Sequence, residues 1–136
     1  MKKMVALALA ITMLVSLASV ASASTGFSIP VSCTDTTNYT KAPSVEYKSK
    51  GSAAIYVIHH DNVDTTEYTN HFRGIDDDAN VTCGSKWCTQ GLNVPIQNNN
   101  IKTGKNYTVS GRGNTNYYNN DGISRVTLSG TFDANR

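Results

Sequence analysis

The sequence predicts an all-β protein, a small antiparallel β-sandwich or small barrel of about seven or eight strands. Three observations carry that expectation. Beyond residue 23, Val and Ile together number 15, while Leu appears only as Leu92 and Leu128. β-branched side chains are stiff at χ1 and pack well on a pleated surface, whereas Leu-rich runs favour helices. Residues 123–133 alternate with period two: Val126, Leu128, Gly130 and Phe132 face one way, and Arg125, Thr127, Ser129, Thr131 and Asp133 the other. Ten glycines and many asparagines then supply turns between such segments.

Residues 1–23 stand apart. Lys2 and Lys3 precede an uncharged apolar run from Met4 to Val20, and Ala21-Ser22-Ala23 offers the small residues that a signal peptidase prefers. This pattern predicts a cleaved signal peptide and a secreted domain over residues 24–136. The residue directly after the cleavage site is Ser24, not cysteine, so no lipid anchor is expected. Cleavage removes all three methionines and two lysines, which leaves ten basic and ten acidic residues. A formally neutral domain gives no electrostatic case for nucleic acid or for an anionic membrane, and nucleic acid is not expected as a partner.

The first expected strand is Gly26–Ser32, with Phe27, Ile29 and Val31 on one face. Pro30 cannot donate to a ladder, which predicts an edge position. Residues 33–43 read as a polar loop. Ser44–Ser49 and Ala53–His60 read as two strands joined around Lys50-Gly51-Ser52. The second is the most apolar run, so it is expected to be central and buried on both faces. A further strand is placed at Thr66–Arg73, and a loop at Gly74–Asn80. Asn106–Gly111 alternates again, with Tyr107 and Val109 together. Asn119-Asn120-Asp121-Gly122 predicts a hairpin turn before the last strand.

The C-terminal half resembles a group of small exported β-proteins from Gram-positive bacteria. The likeness is carried by Tyr107-Thr-Val-Ser-Gly111, Gly113-Asn114-Thr115, and Val126-Thr-Leu-Ser-Gly130 followed by Phe132-Asp133. It covers about a third of the secreted domain. It implies export, a bacterial source and β-structure, and it transfers no functional residue.

VTCGSKWCTQ, residues 81–90, poses the chief chemical question. A structural zinc site needs four ligands, often from two paired motifs, and no second pair exists. A redox motif has two residues between its cysteines at a helix N-terminus; here there are four, with strand-like flanks. Cys83 and Cys88 are therefore expected to form a disulfide across a turn, permitted by export. The turn would hold Lys86 and Trp87 outward. Cys33 leaves an alternative open, because it can bridge to either partner over a longer loop or pair with a second molecule as a dimer.

Other clusters give less. His59, His60, Asp61, Asp64, Glu67 and His71 contain metal-ligating types, but neighbouring strand residues point to opposite faces, so His59 and His60 cannot share one ion. Asp76-Asp77-Asp78 lacks the alternating acidic spacing of a calcium loop, which favours a solvated turn. No serine sits in a nucleophile elbow, and no phosphate loop or cofactor motif occurs. No catalytic residue, metal site or cofactor is therefore expected. The expected function is non-catalytic binding of an extracellular or cell-surface ligand, such as a glycan, through Trp87, Lys86, Tyr117 and Tyr118. Two other classes remain open on sequence alone: a bacteriocin-like antimicrobial or toxin acting on competitors' envelopes, and a small metal-dependent enzyme. Against the first stand neutral charge and the lack of an amphipathic helix, so no stable membrane insertion is expected.

Overall fold

The computed structural model describes residues 24–49, 55–62, 68–97 and 101–135. The signal segment, the expected turn around Lys50-Gly51-Ser52, and Asp64 and Glu67 lie outside the described residues. The described chain forms nine strands: β1 (Thr25–Ser32), β2 (Thr40–Lys41), β3 (Glu46–Tyr47), β4 (Ile55–Asn62), β5 (Asn70–Asp76), β6 (Val81–Cys88), β7 (Asn93–Gln97), β8 (Asn106–Arg112) and β9 (Arg125–Asp133). One short helix, α1 (Asn116–Asp121), precedes β9. The strands make two antiparallel sheets. One has the order β1-β9-β4-β7, and the other β2-β8-β5-β6 with β3 also on β8. This is the expected all-β sandwich.

The alternating segments build its core as their pattern requires. In β1, Phe27, Ile29 and Val31 are buried while Ser28 and Pro30 are exposed. In β9, Val126, Leu128 and Phe132 face the same core. Phe72, Tyr107 and Val109 meet them from the second sheet, and Phe27 contacts Phe72 edge-on with centroids 5.8 Å apart. Burying a side chain of Phe or Ile size contributes roughly 1.5–3 kcal/mol. Pro30 lies in β1 and Pro95 in β7, the two edges of the first sheet. That placement spares the interior strands a residue that cannot donate.

Several expected elements are corrected. The two strands around Lys50-Gly51-Ser52 belong to different sheets: β3 pairs with β8, and β4 with β7 and β9. β4 is central in its sheet but buried on one face only. Ile58 and His60 point inward, Val57 and His59 are half-buried, and Asp61 is exposed. β5 begins at Asn70, four residues later than expected, and continues through Gly74 and Ile75 to Asp76. The loop after it is a tight turn at 77–80, with Asn80 in the left-handed region at φ 53°. The expected hairpin at Asn119–Gly122 is instead the end of α1. Gly122, at φ 71°, donates its N–H to Tyr118 O, and Ile123 N–H reaches Tyr117 O. An Asn-rich run before glycine serves a helix C-terminus as well as a hairpin, because both need positive φ. β8 and β9 lie in different sheets, so a two-residue hairpin could not have joined them.

Candidate functional site

The expected turn at CGSKWC is the chief correction. Residues 81–88 form one strand, β6, paired along β5. The register moves between Arg73↔Ser85 and Ile75↔Thr82, so two residues of β6, Cys83 and Gly84, oppose Gly74 alone. This is a β-bulge, and Gly84 takes the positive φ of 112° there. Its consequence is parity. Residues five apart on a regular strand face opposite ways. The extra residue turns both Cys83 and Cys88 into the core. Five residues of strand span roughly 16 Å, far beyond the Cα separation a disulfide tolerates. All three cysteines are free, and no pair stands at bridging distance. Burial pushes the thiols of Cys33 and Cys83 up, and that of Cys88 up to about 12. Cys33 is fully buried, which keeps its sulfur from a second chain while the fold is intact.

β6 nevertheless presents Trp87. The residue is 49% exposed. Across the ladder it pairs with His71 of β5, with ring centroids 4.7 Å apart. β5 carries His71 and Arg73 on this outer face, because Phe72 between them turns inward. β8 adds Arg112, the register partner of His71. The loop before β2 lays Tyr39 across the group. The Arg73 guanidinium sits 3.4 Å from the Tyr39 ring centroid, and the Arg112 guanidinium lies 5.2 Å from that ring and 5.3 Å from Trp87. Arg112 Nη1 donates to Thr36 O, and Arg73 Nε to Ser110 Oγ at 3.3 Å. Tyr39, His71, Arg73, Trp87 and Arg112 thus form one aromatic and cationic patch on the outer face of the second sheet.

The electrostatics of the patch are one-sided. Burial, then the Arg112 and Arg73 charges, push the His71 pKa below its ordinary value. His71 Nδ1 shares a hydrogen bond with the Tyr39 hydroxyl. Among the described residues the ion pairs are Lys41–Asp77, His59–Asp61 and Lys105–Asp76. Neither arginine of the patch takes part in one.

The other expected contacts divide. Lys86 is exposed but opposes Phe72, so it projects from the face opposite Trp87. Tyr118 is 49% exposed on α1. Tyr117 is fully buried and is corrected to a structural residue. Its hydroxyl accepts from Asn70 Nδ2 at 3.0 Å and donates to Tyr68 O at 3.1 Å. The amides of this segment are also used internally: Asn114 Nδ2 donates to Thr69 O and Asn120 Nδ2 to the Tyr68 hydroxyl. The expected amide-rich binding loop is therefore a helix pinned to the start of β5.

The histidines are separated by the fold. β4, which carries His59 and His60, pairs with β7 and β9, while β5, which carries His71, lies in the other sheet. His59 lies on the outer face of the β4 sheet, 3.2 Å from Asp61. His60 is in the core, where its Nδ1 donates to Ser129 O and its Nε2 accepts from Asn70 Nδ2 at 3.2 Å. Among the described residues no three His, Cys, Asp or Glu side chains gather where a metal could be held. The three aspartates hold the β5–β6 turn and its neighbours. Asp76 accepts from Ala79 N–H, Asp77 pairs with Lys41, and Asp78 accepts twice from Asn106.

A shallow cleft of about 540 Å³ lies elsewhere, lined by Gly26, Phe27, Ser44, Asp61 and Ser129–Thr131. Asp61 is its one ionisable group, and it offers no exposed large aromatic, so the Trp87 patch has the better-defined recognition chemistry. No protein-family model matches the chain, and no curated protein or solved structure matches it significantly.

Sequence reasoning found Trp87 and missed its partners. The alternation His71-Phe72-Arg73 was visible, as was Ser110-Gly111-Arg112. Their convergence depends on β5 lying between β6 and β8, which local patterns do not specify.

Proposed function

We propose that the chain is an exported, non-catalytic β-sandwich that binds a glycan at an extracellular surface through the patch centred on Trp87. The single observation that carries this reading is the state of the indole. It is half exposed while its inner side rests on His71 and Arg112. A tryptophan fixed on a strand loses little conformational freedom on binding, and its flat face suits the apolar face of a sugar ring. The N-terminal pattern and the resemblance to exported β-proteins support the location. The segregation of His59, His60 and His71 supports binding over metal-dependent catalysis.

The test is retention of the purified 24–136 domain on immobilised cell-wall polysaccharides, alongside Trp87→Ala. Retention of the wild type and its loss in the variant supports the reading. Equal retention of the two, or none by either, overturns it.

A further inference from the structure

The patch has a charge that glycan binding as such does not need. Two guanidinium groups are held against one tyrosine ring, the first 3.4 Å and the second 5.2 Å from its centroid. Like charges brought together on a half-buried surface repel, and carboxylate neighbours usually offset that cost. Here no described carboxylate pairs with either group. Asp35, in the loop that carries Tyr39, is occupied by Thr37 and Asn38.

The hydrogen-bonding capacity is also largely unused. A guanidinium has five N–H donors in a planar fork. Among the described residues Arg73 uses Nε towards Ser110, and Arg112 uses Nη1 towards Thr36. Arg112 Nε is buried and has no partner among the described residues. A buried, charged donor without an acceptor is costly, and in native structures it calls for a missing partner. His71 stands in register between Trp87 and Arg112. The Arg112 guanidinium lies 5.3 Å from the half-exposed Trp87 ring, and Arg73 shares the Tyr39 ring with it.

We propose that the ligand of this patch is an acidic saccharide: one sugar ring stacks on Trp87, and its carboxylate or ester-sulfate group receives N–H donors from Arg112 and Arg73. The inference rests on the glycan-binding reading and deepens it by naming the ligand's charge. Carboxylate and sulfate oxygens both match the guanidinium fork. The aromatic surface supplies the sugar contact, and the unpaired cations supply the selection against neutral sugars.

The test uses the 24–136 domain and calorimetric titration with defined hexasaccharides. One arm takes uronic-acid oligomers from pectin, alginate and hyaluronan, each beside its methyl ester, which keeps the ring and removes the charge. A second arm takes sulfated galactan oligomers beside the unsulfated ones. Binding at least ten-fold tighter to an acidic member than to its neutral counterpart is expected, in one arm or the other, and the arm identifies the acid. Arg73→Gln should weaken the acidic ligand about ten-fold and narrow its advantage over the neutral one, and Arg73→Lys should recover part of the loss. Rising salt should weaken acidic binding in the wild type and weaken it less in Arg73→Gln. Equal affinity for acidic and neutral partners overturns the inference and leaves the glycan reading standing. No binding to any saccharide overturns both. Displacement by inorganic phosphate alone, with no contribution from the sugar, makes the patch a free-anion site and overturns the saccharide assignment.

Discussion

Trp87 and His71 occupy opposed positions on β6 and β5, with ring centroids 4.7 Å apart at a tilt of 53°. The contact fixes one side of an indole whose other side meets solvent. Trp87→Ala should therefore abolish ligand retention and cost about 1 kcal/mol or less of stability, because the half-exposed ring contributes little to the core. Thermal unfolding and affinity, measured on the same sample, check both parts. A fall in stability of several kcal/mol would mark the ring as core.

Tyr117 should behave in the opposite way. Tyr117→Phe removes a buried hydroxyl that links Asn70 to Tyr68 O. The change should destabilise the domain by about 1–3 kcal/mol, the usual cost of leaving buried polar partners unpaired. Ligand affinity should be unchanged. Urea denaturation beside a binding isotherm separates the two effects.

Acid should weaken the fold beginning near neutral pH. Burial, the leading cause in both cases, holds His60 and His71 below the ordinary histidine range. Above about pH 6.5 neither the folded nor the unfolded chain protonates them. As the pH falls through that value, the unfolded chain takes up protons that the folded chain refuses, so stability drops until the lower folded values are reached. Glu46, pushed up by burial, acts in the opposite sense at lower pH. The urea midpoint should fall between pH 7.5 and 5.5, and less steeply in His60→Gln. A flat midpoint over that interval would contradict the neutral core histidine.

The two residues after β9, Ala134 and Asn135, are clasped by side chains. Asn135 donates from Nδ2 to Glu46 Oε1 and Tyr47 O and accepts at Oδ1 from Ser49 N–H. Lys48, fully buried, donates from Nζ to Ala134 O, and burial lowers its pKa despite the nearby Asp133 and Glu46 charges. Asn135→Ala should cost about 2 kcal/mol through the lost bonds. Hydrogen exchange at residues 46–49 should rise in that variant while β5 and β6 stay protected.

The buried thiols should resist modification. With Cys88 pushed up to about 12 and Cys33 and Cys83 raised as well, little thiolate exists at neutral pH. Mass spectrometry of the native domain treated with iodoacetamide should show no adduct over minutes, and three adducts after denaturation without reductant. Fewer than three would reveal a bridge.

The particular residues show what the sequence could carry. Period-two alternation located β1 and β9 closely, because one buried face sets one pattern. Pro30 marked an edge through its missing donor. The bulge at Gly84 was hidden, since one extra residue shifts facing without changing composition. It turned a strand with two inward cysteines into an apparent stapled turn. The Asn-Asp-Gly run misled for a related reason: positive φ at Gly122 serves a helix end as well as a hairpin. Trp87 was legible as a lone exposed aromatic candidate. Tyr39, Arg73 and Arg112 were not, because only the pairing of β5 between β6 and β8 and the return of the loop before β2 bring them together.

Trp87 is the one tryptophan of the chain, so its fluorescence reports on this patch alone. The most direct measurement is a fluorescence titration of the 24–136 domain with a saccharide that calorimetry shows to bind. A saturable change in Trp87 emission, with the same midpoint as the calorimetric isotherm, is the predicted result. Calorimetric binding with unchanged emission would place the ligand elsewhere and contradict the assignment of this face.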